Sequence, residues 1–168
     1  AYHRGGSLVG SEMCIRDRTY GQLNKSKSNG VLLCHAFSGN HHAAGKSEDG
    51  SIGWWDQLVG SDKAIDTDKY FVVCCNNLGG CSGSSGPTSI NPQTGKIYGK
   101  DFPQVSVLDW VNSQKMLSEK LGINKWHLVI GGSLGGMQAL QWSITFPDSV
   151  NKAGILAAAA KSLSLIHI

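Results

Sequence analysis

An apolar run, Trp126-His127-Leu128-Val129-Ile130, passes directly into Gly131-Gly132-Ser133-Leu134-Gly135-Gly136. A helix-compatible stretch then extends from Met137 to Phe146, where Pro147 stops it. A short, nearly continuous apolar run reads as a strand covered on both faces. The backbone must therefore turn from strand to helix within a few residues, with a serine at the apex of the turn. Gly131 to Gly135 matches G-x-S-x-G in the one context that gives this pattern meaning. A serine so placed is pushed into a strained conformation that lifts its hydroxyl clear of the sheet. The flanking glycines leave room for the neighbouring strand and helix. The helix that follows turns its positive dipole end towards charge developing at the serine. The alternative is a glycine-rich turn carrying an ordinary surface serine.

Other segments repeat the alternation. Gly30 to Gly39 (GVLLCHAFSG) and Tyr70 to Cys75 (YFVVCC) read as two further buried strands, and Lys152 to Ala158 as a fourth. Ser106-x-x-Asp109 is a capping box, with Val107, Val111, Leu117 and Leu121 on one helical face and Gly122 at its end. Strands alternating with helices imply an α/β domain with a parallel sheet, whose active loops lie at the carboxyl ends of the strands. At 168 residues the chain suits one domain. Its 22 glycines follow no repeat, which points to tight loops around a site. The stretches Asn40 to Lys69 and Asn76 to Pro103 read as long loops, with Trp54 and Trp55 as packing anchors.

Acyl transfer needs two backbone N–H groups aimed at the developing oxyanion. Leu134, next after the serine, supplies one, and the loop His35-Ala36-Phe37 after the first strand supplies the other through Phe37. His35 precedes the serine, whereas the base of such an enzyme follows it, so His35 is assigned to shaping the loop. Downstream of Ser133 stand only Asp148 and His167. The nucleophile is thus expected here without its base or orienting acid, and the chain alone without turnover.

Other chemistries find little support. A formal charge of +3 argues for no nucleic-acid partner, and no apolar run reaches membrane-spanning length. No metal site is expected. The five cysteines (Cys14, Cys34, Cys74, Cys75, Cys81) lack a C-x-x-C pair, and His41-His42 lacks helical zinc spacing. Reduced thiols in a cytoplasmic protein are the expectation. Neither glycine cluster gives a nucleotide-binding pattern.

The ends differ from the middle. All three arginines (Arg4, Arg16, Arg18) precede Thr19, after which the basic residues are twelve lysines. Residues 1–18 and 161–168 resemble translated sequencing-adapter read-through. They are expected to be a non-native or disordered leader and a non-native tail around a partial domain at 19–160.

The segments HAFSGNHHAAG, GWWDQLVGSDKAIDTDKYFVV, NNLGGCSGSSGPTSINPQTGK, YGKDFP and GGSLGGMQALQW resemble homoserine O-acetyltransferase. The related homoserine and serine O-succinyltransferases are close behind, and the likeness extends from about Tyr20 to Ala158. It implies the N-terminal part of an α/β-hydrolase fold, a mostly parallel sheet with flanking helices, the lid and later strands lying beyond. It also implies a ping-pong reaction of methionine biosynthesis. Ser133 takes acetyl from acetyl-CoA (or succinyl from succinyl-CoA) as co-substrate, with no permanently bound cofactor, and homoserine then receives it. The parent enzyme is expected to be a homodimer. The family's catalytic Asp and His, and the arginine that grips the substrate carboxylate, belong to its C-terminal half. Phe37 replaces the usual Leu and Leu134 the usual Met, both acting through backbone. Excluding water from an acyl-enzyme calls for a closed tunnel, which the two long loops are expected to wall, with Lys63, Lys96 and Lys100 as candidates for CoA phosphates. A serine esterase of the same fold, and a non-catalytic domain, remain open as alternatives.

Overall fold

The computed structural model describes residues 8–10 and 13–160, and side chains from Ile15 onward. Its strands are β1 (Leu8–Gly10), β2 (Met13–Ile15), β3 (Asp17–Tyr20), β4 (Gly30–Cys34), β5 (Val59–Gly60), β6 (Ile65–Asp66), β7 (Phe71–Cys75), β8 (Leu128–Gly132) and β9 (Ala153–Leu156). The two helices are α1 (Val107–Leu121) and α2 (Leu134–Thr145). β3, β7, β4, β8 and β9 form one five-stranded sheet in that order, parallel except for β3. The expected α/β class, with a mostly parallel sheet and flanking helices, is what is observed.

The apolar runs become central strands because both of their faces are covered. Leu32, Cys34, Val73, Cys75 and Val129 point to one side, where Val111 and Leu117 of α1 and Ala139 and Trp142 of α2 pack on them. Val31, Leu33, Val72 and Cys74 point to the other side, so the adjacent thiols Cys74 and Cys75 do face opposite ways. Each Val or Leu fully removed from water contributes roughly 1.5–3 kcal/mol.

The second face is covered by the chain between β4 and β7 rather than by a helix. Ala43, Ala44, Val59 and Ile65 lie on it, with Trp54 and Trp55 packed alongside, their ring centroids 4.8 Å apart. The short β5–β6 pair sits within this stretch, which had read as loop throughout. It therefore covers this face of the sheet.

Asp17 and Arg18, set aside above with the leader, pair with Cys75 and Cys74 as part of β3. Tyr20 anchors that strand, its hydroxyl accepting from the amides of Ala43 and Ala44 at 2.8 and 3.0 Å. The capping box at α1 forms as expected, Ser106 Oγ accepting from the Asp109 amide, and Gly122 ends the helix at φ 70°. On the opposite edge, β9 leaves Ile155 and Leu156 exposed. Among the described residues no helix is long and apolar enough to cross a membrane.

From β4 the chain moves to β7 on one side, and from β8 it moves through α2 to β9 on the other. The carboxyl ends of β4 and β8 therefore flank the point where the winding reverses, which is where parallel sheets of this kind open a crevice.

Candidate active site

Ser133 stands at that crevice, at φ 54° and ψ −120°, as the residue before the first turn of α2. A side-chain-bearing residue held there carries about 1–3 kcal/mol of strain. The surroundings hold it in place: its N–H donates to the Leu156 carbonyl of β9 at 2.9 Å, and its own carbonyl accepts from the Met137 amide at 3.1 Å. Its side chain makes no capping bond and is exposed. The helix begins at Leu134, three residues earlier than the sequence predicts. Gly135 and Gly136 are poor helix formers but good spacers. A Cβ on Gly135 would lie 2.0 Å from the Cys34 carbonyl oxygen, and one on Gly131 would lie 2.4 Å from the Gly135 carbonyl carbon. Gly132 is different, its nearest neighbour being the Leu156 oxygen at 4.0 Å.

The loop after β4 forms the other side. His35 is buried, and both ring nitrogens are engaged. Nδ1–H donates to the Ala36 carbonyl at 2.7 Å, and Nε2 accepts from the Asn77 amide at 3.2 Å. Burial lowers its pKa, so the ring is neutral at pH 7. This is a residue that shapes the loop, as expected. Two positions on, the Phe37 side chain is 89% exposed. Among the described residues the amides of Phe37 and Leu134 donate to no other group. Both residues line one cavity of about 650 Å³, whose wall is otherwise drawn mostly from 76–103 and the approach to α1. Ser133 adjoins this cavity through Leu134.

Behind the crevice runs a buried chain of amides that the sequence had not revealed. The Trp142 indole N–H donates to Gln114 Oε1 at 2.7 Å, and Gln114 Nε2 to Gln138 Oε1 at 2.6 Å. Gln138 Nε2 in turn reaches the His35 carbonyl at 3.4 Å. α1, α2 and the loop after β4 are thereby held in one register. The available signal was Gln114 falling between Val111 and Leu117 on the apolar face of α1.

Other nominated residues lie apart. Asp148 is exposed in the turn beyond α2 and does not line the cavity, and His167 lies outside the described residues. His42 is bonded by Arg18 and the Ser51 carbonyl, His41 by Asn76. Lys63 pairs with Asp56 at 3.3 Å, and of the three candidate lysines Lys100 alone lines the cavity. Burial pushes the thiols of Cys34 and Cys74 up and that of Cys75 to about 12, leaving them inert. Among the described residues no group of three or more His, Cys, Asp or Glu is placed to hold a metal.

Residues 29–167 match the family described as alpha/beta hydrolase fold. The chain is 61% identical over 145 residues to homoserine O-succinyltransferase of Neisseria gonorrhoeae, covering 85% of this chain and 38% of that protein. It is 62% identical over 141 residues to that of Hahella chejuensis, covering 83% and 37%. It thus spans under two fifths of the length of these relatives. Among solved structures, a mutant of esterase E22 superposes with TM-score 0.85 at 39% identity, covering 98% of this chain and 48% of that one. Homoserine O-acetyltransferase from Bacillus anthracis superposes with TM-score 0.79 at 38% identity, covering 91% and 44%.

Proposed function

The chain belongs to the α/β-hydrolase fold family, and from that premise we propose that it is the nucleophile-bearing part of an acyl-CoA-dependent homoserine O-acyltransferase of methionine biosynthesis. The observation that carries the reading is Ser133 itself. It is a strained, exposed serine at a helix N-terminus, beside a cavity lined by Phe37 and Leu134, whose amides donate to no other group among the described residues. Similarity to the homoserine O-succinyltransferases supports the substrate class.

The Ser133 hydroxyl attacks the thioester carbonyl and gives up its proton to a base expected from the family's C-terminal half. The carbonyl oxygen becomes an oxyanion that the Phe37 and Leu134 amides receive, each such donor being worth about 10²–10³ in rate. The coenzyme A thiolate then leaves with a proton and acyl-Ser133 remains. The homoserine hydroxyl repeats the sequence in reverse, carrying off the acyl group and restoring the serine. No permanent cofactor takes part, and the setting is cytoplasmic.

The sequence reading takes the acyl group as acetyl. The higher identity to relatives whose names specify succinyl favours succinyl as a second reading. Likeness to an esterase structure likewise favours hydrolysis as the rival reaction. The full-length protein, mixed with each acyl-CoA and examined by peptide mass spectrometry, is expected to carry the acyl group on Ser133. Homoserine should discharge it faster than water does. An unmodified Ser133 peptide with both donors would overturn the proposal, and discharge by water alone would convert it to the esterase reading.

A further inference from the structure

Trp142, Gln114 and Gln138 are all buried, so the polar atoms of their side chains must find partners inside the protein. An indole N–H only donates. Its 2.7 Å bond therefore fixes the atom it meets as the Gln114 carbonyl oxygen, and the Cys34 thiol at 3.9 Å donates to the same oxygen. Gln114 is left to present its NH2, which makes the Gln138 atom 2.6 Å away an oxygen. The NH2 of Gln138 must then face the other way. One tryptophan thus sets the direction of two carboxamides whose ends have nearly the same shape.

Gln138 Nε2 faces a pair of backbone carbonyls, that of His35 at 3.4 Å and that of Leu134 at 3.5 Å. Leu134 carries one of the two amides at the cavity, and His35 stands two residues before Phe37, which carries the other. These pieces of chain belong to different elements, α2 and the loop after β4. The close approach of Gly135 to the Cys34 carbonyl sets how near they come. A nitrogen with two hydrogens, enough for one to each carbonyl, sets how far apart they drift. Both bonds are long and weak alone, and they matter because one firmly held atom acts on both segments.

We infer that Gln138 is a positioning residue for acylation, holding the Phe37 and Leu134 amides at the spacing that receives the oxyanion, with Trp142 and Gln114 setting its polarity. Gln138 is buried and does not line the cavity, so it acts through the backbone it ties. The inference rests on Ser133 being the acylated nucleophile, and it holds equally whether homoserine or water discharges the acyl group.

The full-length protein is mixed with p-nitrophenyl acetate, an activated ester that acylates a serine with or without an acceptor alcohol. The first turnover is followed by nitrophenol release and by peptide mass spectrometry of Ser133. Gln138→Leu removes both donors. Its acylation rate at saturation should fall about 10- to 100-fold, the scale for reacting groups misplaced by up to about 1 Å. The half-saturating ester concentration should change by less than about twofold, as for an interaction made only in the transition state. Ile123→Val, which trims the same core without touching the relay, should leave the rate unchanged.

Gln138→Glu supplies a readout that lost packing does not imitate. Protonated, the new carboxyl accepts from Gln114 and donates to one carbonyl; ionised, it turns negative charge on both. Burial raises the pKa of such a group above its ordinary value of about 4.3. The titratable groups beside the relay are the Cys34 and Cys75 thiols, both next to Gln114, and His35. Burial pushes the thiols up and the imidazole down, so all three stay uncharged from about pH 6.5 to 8. The rate of Gln138→Glu relative to the unaltered protein should therefore rise as pH is lowered across that range, and exceed that of Gln138→Leu at its acid end.

A Gln138→Leu rate equal to that of the unaltered protein, an equal fall in Ile123→Val, or a Gln138→Glu variant no faster than Gln138→Leu at any pH would overturn the inference and leave Ser133 as the nucleophile. Should Gln138→Leu not fold, the pH series of Gln138→Glu decides, and a flat ratio well below one overturns the inference. Failure of the unaltered protein to acylate Ser133 would sink the nucleophile reading and this inference together.

Discussion

Replacing Gly135 by alanine tests how closely the crevice is built. The added methyl would come within 2.0 Å of the Cys34 carbonyl oxygen and 2.7 Å of its carbon, and both atoms are backbone. Neither can swing aside as a side-chain tip can. Ordinary contact would require the N-terminal turn of α2 to move away from β4 by more than 1 Å, roughly the scale at which overpacking costs 1–3 kcal/mol or more. Taking about 3 kcal/mol, at about 2–4 °C per kcal/mol for a domain of this size, the melting temperature should fall by roughly 6–12 °C. Gly132→Ala is the matched control, since its methyl meets only the Leu156 oxygen at 4.0 Å, and it should change stability by about 0.5 kcal/mol or less. Urea unfolding followed through the buried Trp126 and Trp142 measures both variants. Equal midpoints would refute the close approach of α2 to β4. The acylation reading would lose its support as well, because the same displacement separates Leu134 from the loop of Phe37.

Ser133→Gly should be more stable than Ser133→Ala by about 1 kcal/mol, because only glycine relieves the positive φ; equal stability would show the turn to be unstrained. Gln138→Leu strands the Gln114 donor and should cost about 1–3 kcal/mol. A double-mutant cycle with Gln114→Leu should give a coupling energy above roughly 0.5 kcal/mol, and strict additivity would break the proposed chain of amides. Burial lowers the pKa of His41 to about 4 and also lowers that of His35, below an ordinary value of 6.5. The unfolded chain therefore takes up protons that the folded one refuses. Stability should be full above about pH 6.5 and decline as pH falls towards 4, whereas a flat profile in urea titrations across that range would contradict both burials.

The parts of the fold that were legible were those where one local requirement dominates. β4, β7 and β8 announced themselves because strands covered on both faces must be continuously apolar, and Ser106, Asp109 and Gly122 because helix ends have few chemical solutions. Ser133 was legible because the tight turn around it demands glycines. β3 was not: Asp17 and Arg18 have no apolar pattern, and the strand is fixed by pairing with β7 and by the distant amides that Tyr20 receives. The chain from Asn40 to Lys69 concealed its role for a related reason. Its buried residues are scattered alanines and single aliphatics with no period, held by the face they cover. The links among Gln114, Gln138 and Trp142 join residues 24 and 28 positions apart, a relation that only the folded helices create.

On the acyltransferase reading, reaction and selectivity are written in different stretches of this polypeptide. The serine and its neighbouring amides spring from two strands clamped in the middle of the sheet, where any drift is resisted on every side. The wall of the adjoining cavity comes largely from residues 76–103, which carry no strand and a single short 3-10 helix at Gly99–Asp101. Such a stretch can be rewritten by evolution at small cost to the scaffold. On the acyltransferase reading, the acyl group or its acceptor can then change while the serine and its neighbouring amides stay where the sheet holds them.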